Sequence, residues 1–288
     1  MHPNCPDWAE ALLNGFSQVL LQRHPFCGLM CLLAILLTAP TLLGGALLGA
    51  LAGLLTAQRR GYAKADRQAG RYSYNGVLLG LLLCSQFPWT PLLPLLIIAG
   101  GGVSAMLMHR WIKHTPQAHG LKGYTAPFVL LSWLLLAFAT PQTAASDTTG
   151  NTLLQALPQG FGQVFFLDQP LAGLVIGAGL LIANRRSACW ALLGCAGGIA
   201  FALVHDEPAT ALLGLASYNP ALAGLALSQQ HHKPWLPLIA IMLAIILQPG
   251  FSGLGLPTLT APFILACWLV QASARLSRQS GFDHQLRG

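Results

Sequence analysis

Thr125-Ala126-Pro127-Phe128 and Thr260-Ala261-Pro262-Phe263 are the same tetrapeptide written twice in one chain, and their surroundings repeat with them. Gly120-Leu121 stands ahead of the first copy and Gly255-Leu256 ahead of the second, with the same gap, and Trp133 and Trp268 follow each Phe at the same distance. Two further passages recur in the same order. Phe16-Ser17-Gln18-Val19 returns as Phe161-Gly162-Gln163-Val164, and Ser73-Tyr74-Asn75 with Leu78 and Gly80 returns as Ser217-Tyr218-Asn219 with Leu222 and Gly224. The copies lie 145 residues apart for Gln18 and Gln163, 144 for Asn75 and Asn219, and 135 for Thr125 and Thr260. The chain therefore reads as two halves, 1–145 and 146–288, the second with a shorter connection before its final motif. Duplication in so apolar a chain points to a channel or transporter.

Charged residues make up 8% of the chain and hydrophobic ones 54%, against roughly 25% charged in a soluble domain. The composition predicts an all-α integral membrane protein with about ten spans. Apolar stretches fall at 26–39, 41–57, 74–90, 91–108 and 124–140, then at 170–184, 188–204, 209–227, 235–248 and 259–274. Several are shorter than the roughly 20 residues of a straight span. Ahead of each set lies a weaker segment, about 7–24 and 152–168, followed by a Pro. These read as re-entrant half-helices, tolerated at membrane depth where they line a protein-enclosed cavity.

The basic residues set the expected orientation, because cytoplasmic loops collect Lys and Arg. With both termini inside, the inner segments are about 58–73, 109–123, 185–187, 228–234 and the C-terminal tail; they hold all of the 15 Lys and Arg residues except Arg23. The outer connections carry Asp147, His205, Asp206 and Glu207. Five spans per half, an odd number, makes the halves insert in opposite directions, an inverted repeat with a pore on its pseudo-twofold axis. The net charge of +7 thus reports topology and attraction to anionic membrane lipid rather than nucleic acid. No cleavable signal peptide is read at the N-terminus.

Other patterns carry less. Six cysteines lie in or beside spans without a Cys-x-x-Cys pair, which predicts packing. His109, His114 and His119 recur every five residues, a spacing unlike a helical metal site, and read as solvated loop residues. His205-Asp206-Glu207 reads as a polar outer loop. No hydrolase string is present, so neither an enzyme, a cofactor nor a metal is expected. Asn219-Pro220-Ala221 has the look of an aquaporin tripeptide, but its other copy is Asn75-Gly76-Val77.

Together, Gln18-Val19, Tyr74-Asn75, Thr125 to Phe128 and their second copies resemble the urea transporter family, including its bacterial members. Its doubled Leu-Pro-x-x-Thr-x-Pro-Phe is complete at Leu256 to Phe263, while the first copy has Lys122 where Pro is expected. The resemblance implies two inverted five-span halves, each with a pore half-helix, a homotrimer with one pore per protomer, and an inner-membrane location. It also implies roles. Gln18, Gln163, Thr125 and Thr260 become acceptors for urea N–H groups, and Tyr74, Leu78, Tyr218 and Leu222, with Leu21 and Phe166, become the walls of a narrow slot. A neutral Gln163 stands where some bacterial members have Glu.

Scarce acids predict downhill passage, since a carboxylate at the bilayer centre costs about 2.5–3.5 kcal/mol on insertion scales and serves protons or ions there. Asp168 is the one acid expected near that depth. The alternatives are an ion-coupled secondary transporter, a channel for a short amide, water or glycerol, and a membrane subunit whose repeats only pack.

Overall fold

The computed structural model describes residues 7–115, 121–138, 152–230 and 233–285, with side chains as far as Leu276 apart from Ser252. His119, Asp147 and Arg287, assigned above to loops and tail, lie outside these residues. Every regular element among the described residues is a helix. In chain order they are α1 (Asp7–Val19), α2 (Pro25–Thr38), α3 (Pro40–Arg59), α4 (Lys64–Gln68), α5 (Tyr74–Gln86), α6 (Leu92–His114) and α7 (Ala126–Ala137). Then follow α8 (Leu153–Gln163), α9 (Pro170–Ala183), α10 (Arg185–Val204), α11 (Pro208–Leu212), α12 (Tyr218–Gln230), α13 (Trp235–Gly253) and α14 (Ala261–Gln285).

Helix starts follow from local chemistry. Pro25, Pro40 and Pro170 open α2, α3 and α9, where proline's missing N–H costs nothing. His24 Nδ1 accepts from Cys27 N (3.3 Å), and Asn184 Oδ1 from Ser187 N (3.0 Å), each filling an orphan donor at its helix start. Among the described residues, α3, α6 and α10 are long and apolar enough to cross a membrane, and the other apolar helices are shorter. Exposed Leu36, Leu37, Leu95, Leu174, Ile182 and Ile246 clothe the outside in hydrocarbon, the surface an integral membrane protein presents to lipid.

Small residues bring helix backbones together. A Cβ on Gly80 would run into the Gly45 carbonyl of α3, and one on Gly224 would come within 2.8 Å of the Trp190 carbonyl of α10. The α3–α5 and α10–α12 pairs are correspondingly the most intimate in the molecule. Mates also pack on each other: α2 lies against α9, where Gly179 faces Met30.

Two boundaries differ from expectation. The first segment expected as a half-helix is helical only to Val19 and the second only to Gln163, because Leu21 and Phe166 turn the chain with φ of 56° and 58°. Each makes the same cap: Leu21 N donates to Gln18 O (2.9 Å) and Gln22 N to Ser17 O (3.1 Å), while Phe166 N donates to Gln163 O and Leu167 N to Gly162 O, both 3.1 Å. These are Schellman turns with bulky residues where glycine is usual. The stretch 209–227 is not one span: α11 ends, Gly214 turns at φ 73°, and α12 begins at Tyr218. Gly214 sits so close to the Gln159 backbone that a Cβ would approach to 2.8 Å, so the chain must break there to seat α8.

Candidate functional site

The three duplicated motifs converge. Thr125 and Thr260, at the starts of α7 and α14, place their hydroxyl oxygens 2.7 Å apart, and both residues are buried. The Tyr-Asn pairs at the starts of α5 and α12 hold these helix starts. Asn75 Oδ1 accepts from Phe128 N (3.2 Å), and Asn219 Oδ1 from Phe263 N (3.3 Å). Tyr74 Oη donates to Tyr124 O, and Tyr218 Oη to Leu259 O (2.7 Å), the carbonyls just before each Thr. Tyr124 and Leu259 both adopt positive φ, 42° and 43°. Asn219 is thereby explained without the aquaporin pattern: its amide nitrogen also donates to Leu259 O (3.0 Å).

Two cavities are lined by residues of this junction. The larger, about 790 Å3, is lined by Gln163, Phe166, Tyr218, Phe128 and Thr260. The smaller, about 300 Å3, is lined by Gln18, Leu21, Tyr74 and Tyr124. Thr260 lines the larger cavity, and Tyr124, the residue before Thr125, lines the smaller, so the hydroxyl pair adjoins residues of both walls. Leu78 and Leu222 line neither cavity and are packed inside, 0% and 2% exposed. The two Gln amides are anchored by their nitrogens. Gln163 Nε2 donates to Asp168 Oδ1 (2.9 Å), and the surroundings of Gln18 orient its amide nitrogen toward Ala69 O (3.3 Å) and Gln22 O (3.2 Å). Anchoring the nitrogen reserves the oxygen as an acceptor.

Several charged and polar residues take different places from those expected. Asp168 is exposed at the end of the α8 turn, and among the described residues no Asp or Glu is buried. His109 is not a solvated loop residue but stacks on Tyr62 at 3.7 Å and meets the Tyr72 hydroxyl at 3.4 Å. His205 and Asp206 are exposed beside Glu207, which reaches the wall of the larger cavity. No cluster of His, Cys, Asp and Glu among the described residues could hold a metal. Lys122 lines the smaller cavity with Arg71 and keeps an exposed surface there; partial desolvation by the wall, and then the Arg71 charge, lower its pKa from the ordinary lysine value.

A fourth duplicated pair escaped sequence reasoning. Gln86 lines the larger cavity and Gln230 the smaller, each twelve residues after its motif Tyr. Extending the alignment of halves to the end of the Tyr-Asn helix would have found them. Their neighbours differ: Gln230 Nε2 and Gln271 Nε2 both donate to Tyr124 Oη (2.6 and 2.7 Å), whereas the larger cavity has Leu136 and Leu259 as lining.

The family comparison spans all the residues that build this geometry. The model of the urea transporter family matches residues 9–275. The chain belongs to the urea transporter family. That is a family of transporters and not of enzymes. The chain is similar to sheep (Ovis aries) and goat (Capra hircus) urea transporter 1, 25% identical to each over 93% of this chain and 77% of the relative. To the mouse (Mus musculus) urea transporter 1 it is 24% identical over 77% of this chain and 62% of the relative. Family membership and the apolar helices together make it an integral membrane protein.

Proposed function

We propose that this urea transporter family member conducts urea passively, down its gradient, along the path joining the two cavities. The observation that carries the reading is the Thr125–Thr260 hydroxyl pair, with Thr260 on the larger cavity and Tyr124, the neighbour of Thr125, on the smaller, each cavity lined by an anchored Gln. Urea is flat, uncharged and carries four N–H donors around its edge. Gln18 and Gln163 oxygens accept its N–H groups as it sheds water, and Leu21, Tyr74, Phe166 and Tyr218 flank its faces. Leu78 and Leu222 back this wall from inside the core rather than touching solute.

At the centre urea inserts between the hydroxyls and exchanges the Thr–Thr bond for N–H···O bonds to each Thr. Neutral hydrogen bonds are worth only about 1 kcal/mol net, so the exchange is nearly balanced and release is quick. The absence of buried carboxylates among the described residues supports passage without a coupling ion.

The two halves act as an inverted repeat, with α1 and α8 as re-entrant pore half-helices. Reciprocal contacts support this: Trp133 Nε1 donates to Pro257 O (2.8 Å), and its mate Trp268 donates to Lys122 O (2.9 Å), the pattern of twofold pairing. Each pore sits in one protomer of a homotrimer in an inner membrane, with the basic loops and both termini facing the cytoplasm.

Stopped-flow light scattering on proteoliposomes tests the reading, with Thr125→Val and Thr260→Val beside the wild type. Saturable urea flux without an ion gradient, reduced at least tenfold in each variant, is the expected result. Wild-type flux no faster than empty vesicles overturns it.

A further inference from the structure

Resting on the urea reading, a further property follows from the way the duplicated frame is decorated differently at its two ends. The Lys122 and Pro257 carbonyls are held alike by Trp268 and Trp133, and both residues line a cavity. The mates Arg71 and Leu215 likewise line the smaller and the larger cavity. Both positions are cationic at one end and apolar at the other. The fold tolerates apolar residues at the equivalent places, so the cations are not needed to build the wall.

The acceptor pathway poses a problem that these cations answer. Gln and Thr oxygens welcome any flat molecule rich in N–H, and guanidinium is as flat as urea with more donors. Shape and hydrogen bonding alone favour the cation. Asp66 pairs with Arg71 at 2.7 Å and offsets part of its charge, whereas Lys122 has no carboxylate partner among the described residues. Lys122 shares the cavity wall with Gln18 and Tyr124, on the approach to the Thr pair.

We propose that Lys122, supported by Arg71, is a specificity-determining barrier that keeps guanidinium and similar planar cations out of the smaller cavity while leaving uncharged urea unaffected. A fixed positive charge in a pore rejects cations by repulsion. A like charge about 10 Å away at an effective dielectric near 20 alters occupancy by roughly tenfold, and salt weakens it.

The test uses the full chain in proteoliposomes, measuring radiolabelled guanidinium uptake and guanidinium inhibition of urea flux for wild type, Lys122→Gln and Lys122→Arg. Lys122→Gln takes up guanidinium, or is inhibited by it, about tenfold more than wild type; Lys122→Arg stays close to wild type. Equal guanidinium behaviour in wild type and a urea-conducting Lys122→Gln overturns the barrier and leaves desolvation in the slot as the whole of ion rejection. Should Lys122→Gln fail to fold, wild type alone decides: guanidinium inhibition that strengthens as ionic strength rises supports the barrier, and inhibition indifferent to salt sinks it. Urea flux of the wild type is a separate trace. Its absence beside Lys122-dependent guanidinium uptake discards urea as solute and keeps the barrier.

Discussion

Asn75 and Asn219 show how a residue read as part of a wall motif serves as a clamp. Each gives its amide oxygen to the N–H of a Phe in the partner motif, and only Asn219 also donates its nitrogen to a described acceptor. Removing such a cap costs about 1–2 kcal/mol. Asn219→Ala therefore lowers the melting temperature in detergent more than Asn75→Ala does, and equal melting curves for wild type and both variants would refute the clamp. The positions of Gln18, Gln163, Thr125 and Thr260 were legible in the sequence because duplication marks them. The bonds of Tyr74 and Tyr218 were not, because their carbonyl partners lie 50 and 41 residues away and no local pattern announces a backbone acceptor. The same holds for the burial of Leu78 and Leu222, which a Tyr-Leu spacing cannot distinguish from lining.

Helices that begin with proline were readable to within a residue or two, as α2 and α9 show. The ends of α1 and α8 were not, since the usual stop signal is glycine and here Leu21 and Phe166 take the left-handed turn. Their side chains reach cavity walls, and glycine could not supply one. Tight seating of α1 and α8 depends on Gly28 and Gly173, where an added Cβ would fall on the Leu13 and Pro158 carbonyls. Backbone is a poor neighbour to push. Gly28→Ala and Gly173→Ala each destabilise by about 1–3 kcal/mol or more, read as lost monodisperse protein and lost urea flux. Gly250→Ala in α13 meets nothing within 4 Å and is neutral, or stabilising by up to about 1 kcal/mol through helix propensity; comparable damage at all three sites would refute the close-approach argument.

Across the whole molecule, the absence of buried acids among the described residues is what favours the proposed downhill passage over ion coupling. Asp168 is exposed and spends a carboxylate oxygen on Gln163, a bond that an amide oxygen can replace. Asp168→Asn therefore keeps urea flux within about twofold of wild type, with no response to an ionophore; concentrative uptake abolished by that substitution would establish a coupled transporter instead. Class and membrane residence were plain from composition, because 8% charge cannot clothe a soluble surface of this size. What composition withheld was the inequality of the two ends, which lives in single substitutions such as Lys122 against Pro257.

The reciprocal straps, Trp133 to Pro257 and Trp268 to Lys122, and the meeting of α2 with its own mate α9 have a historical consequence. Contacts in which each element touches its own copy are those two separate, identical polypeptides would make in a dimer. Cutting the gene between Phe138 and Thr152 and co-expressing the pieces should yield a stable, co-purifying, urea-permeable complex. Two pieces that never find each other would mean that the fusion has become indispensable to assembly.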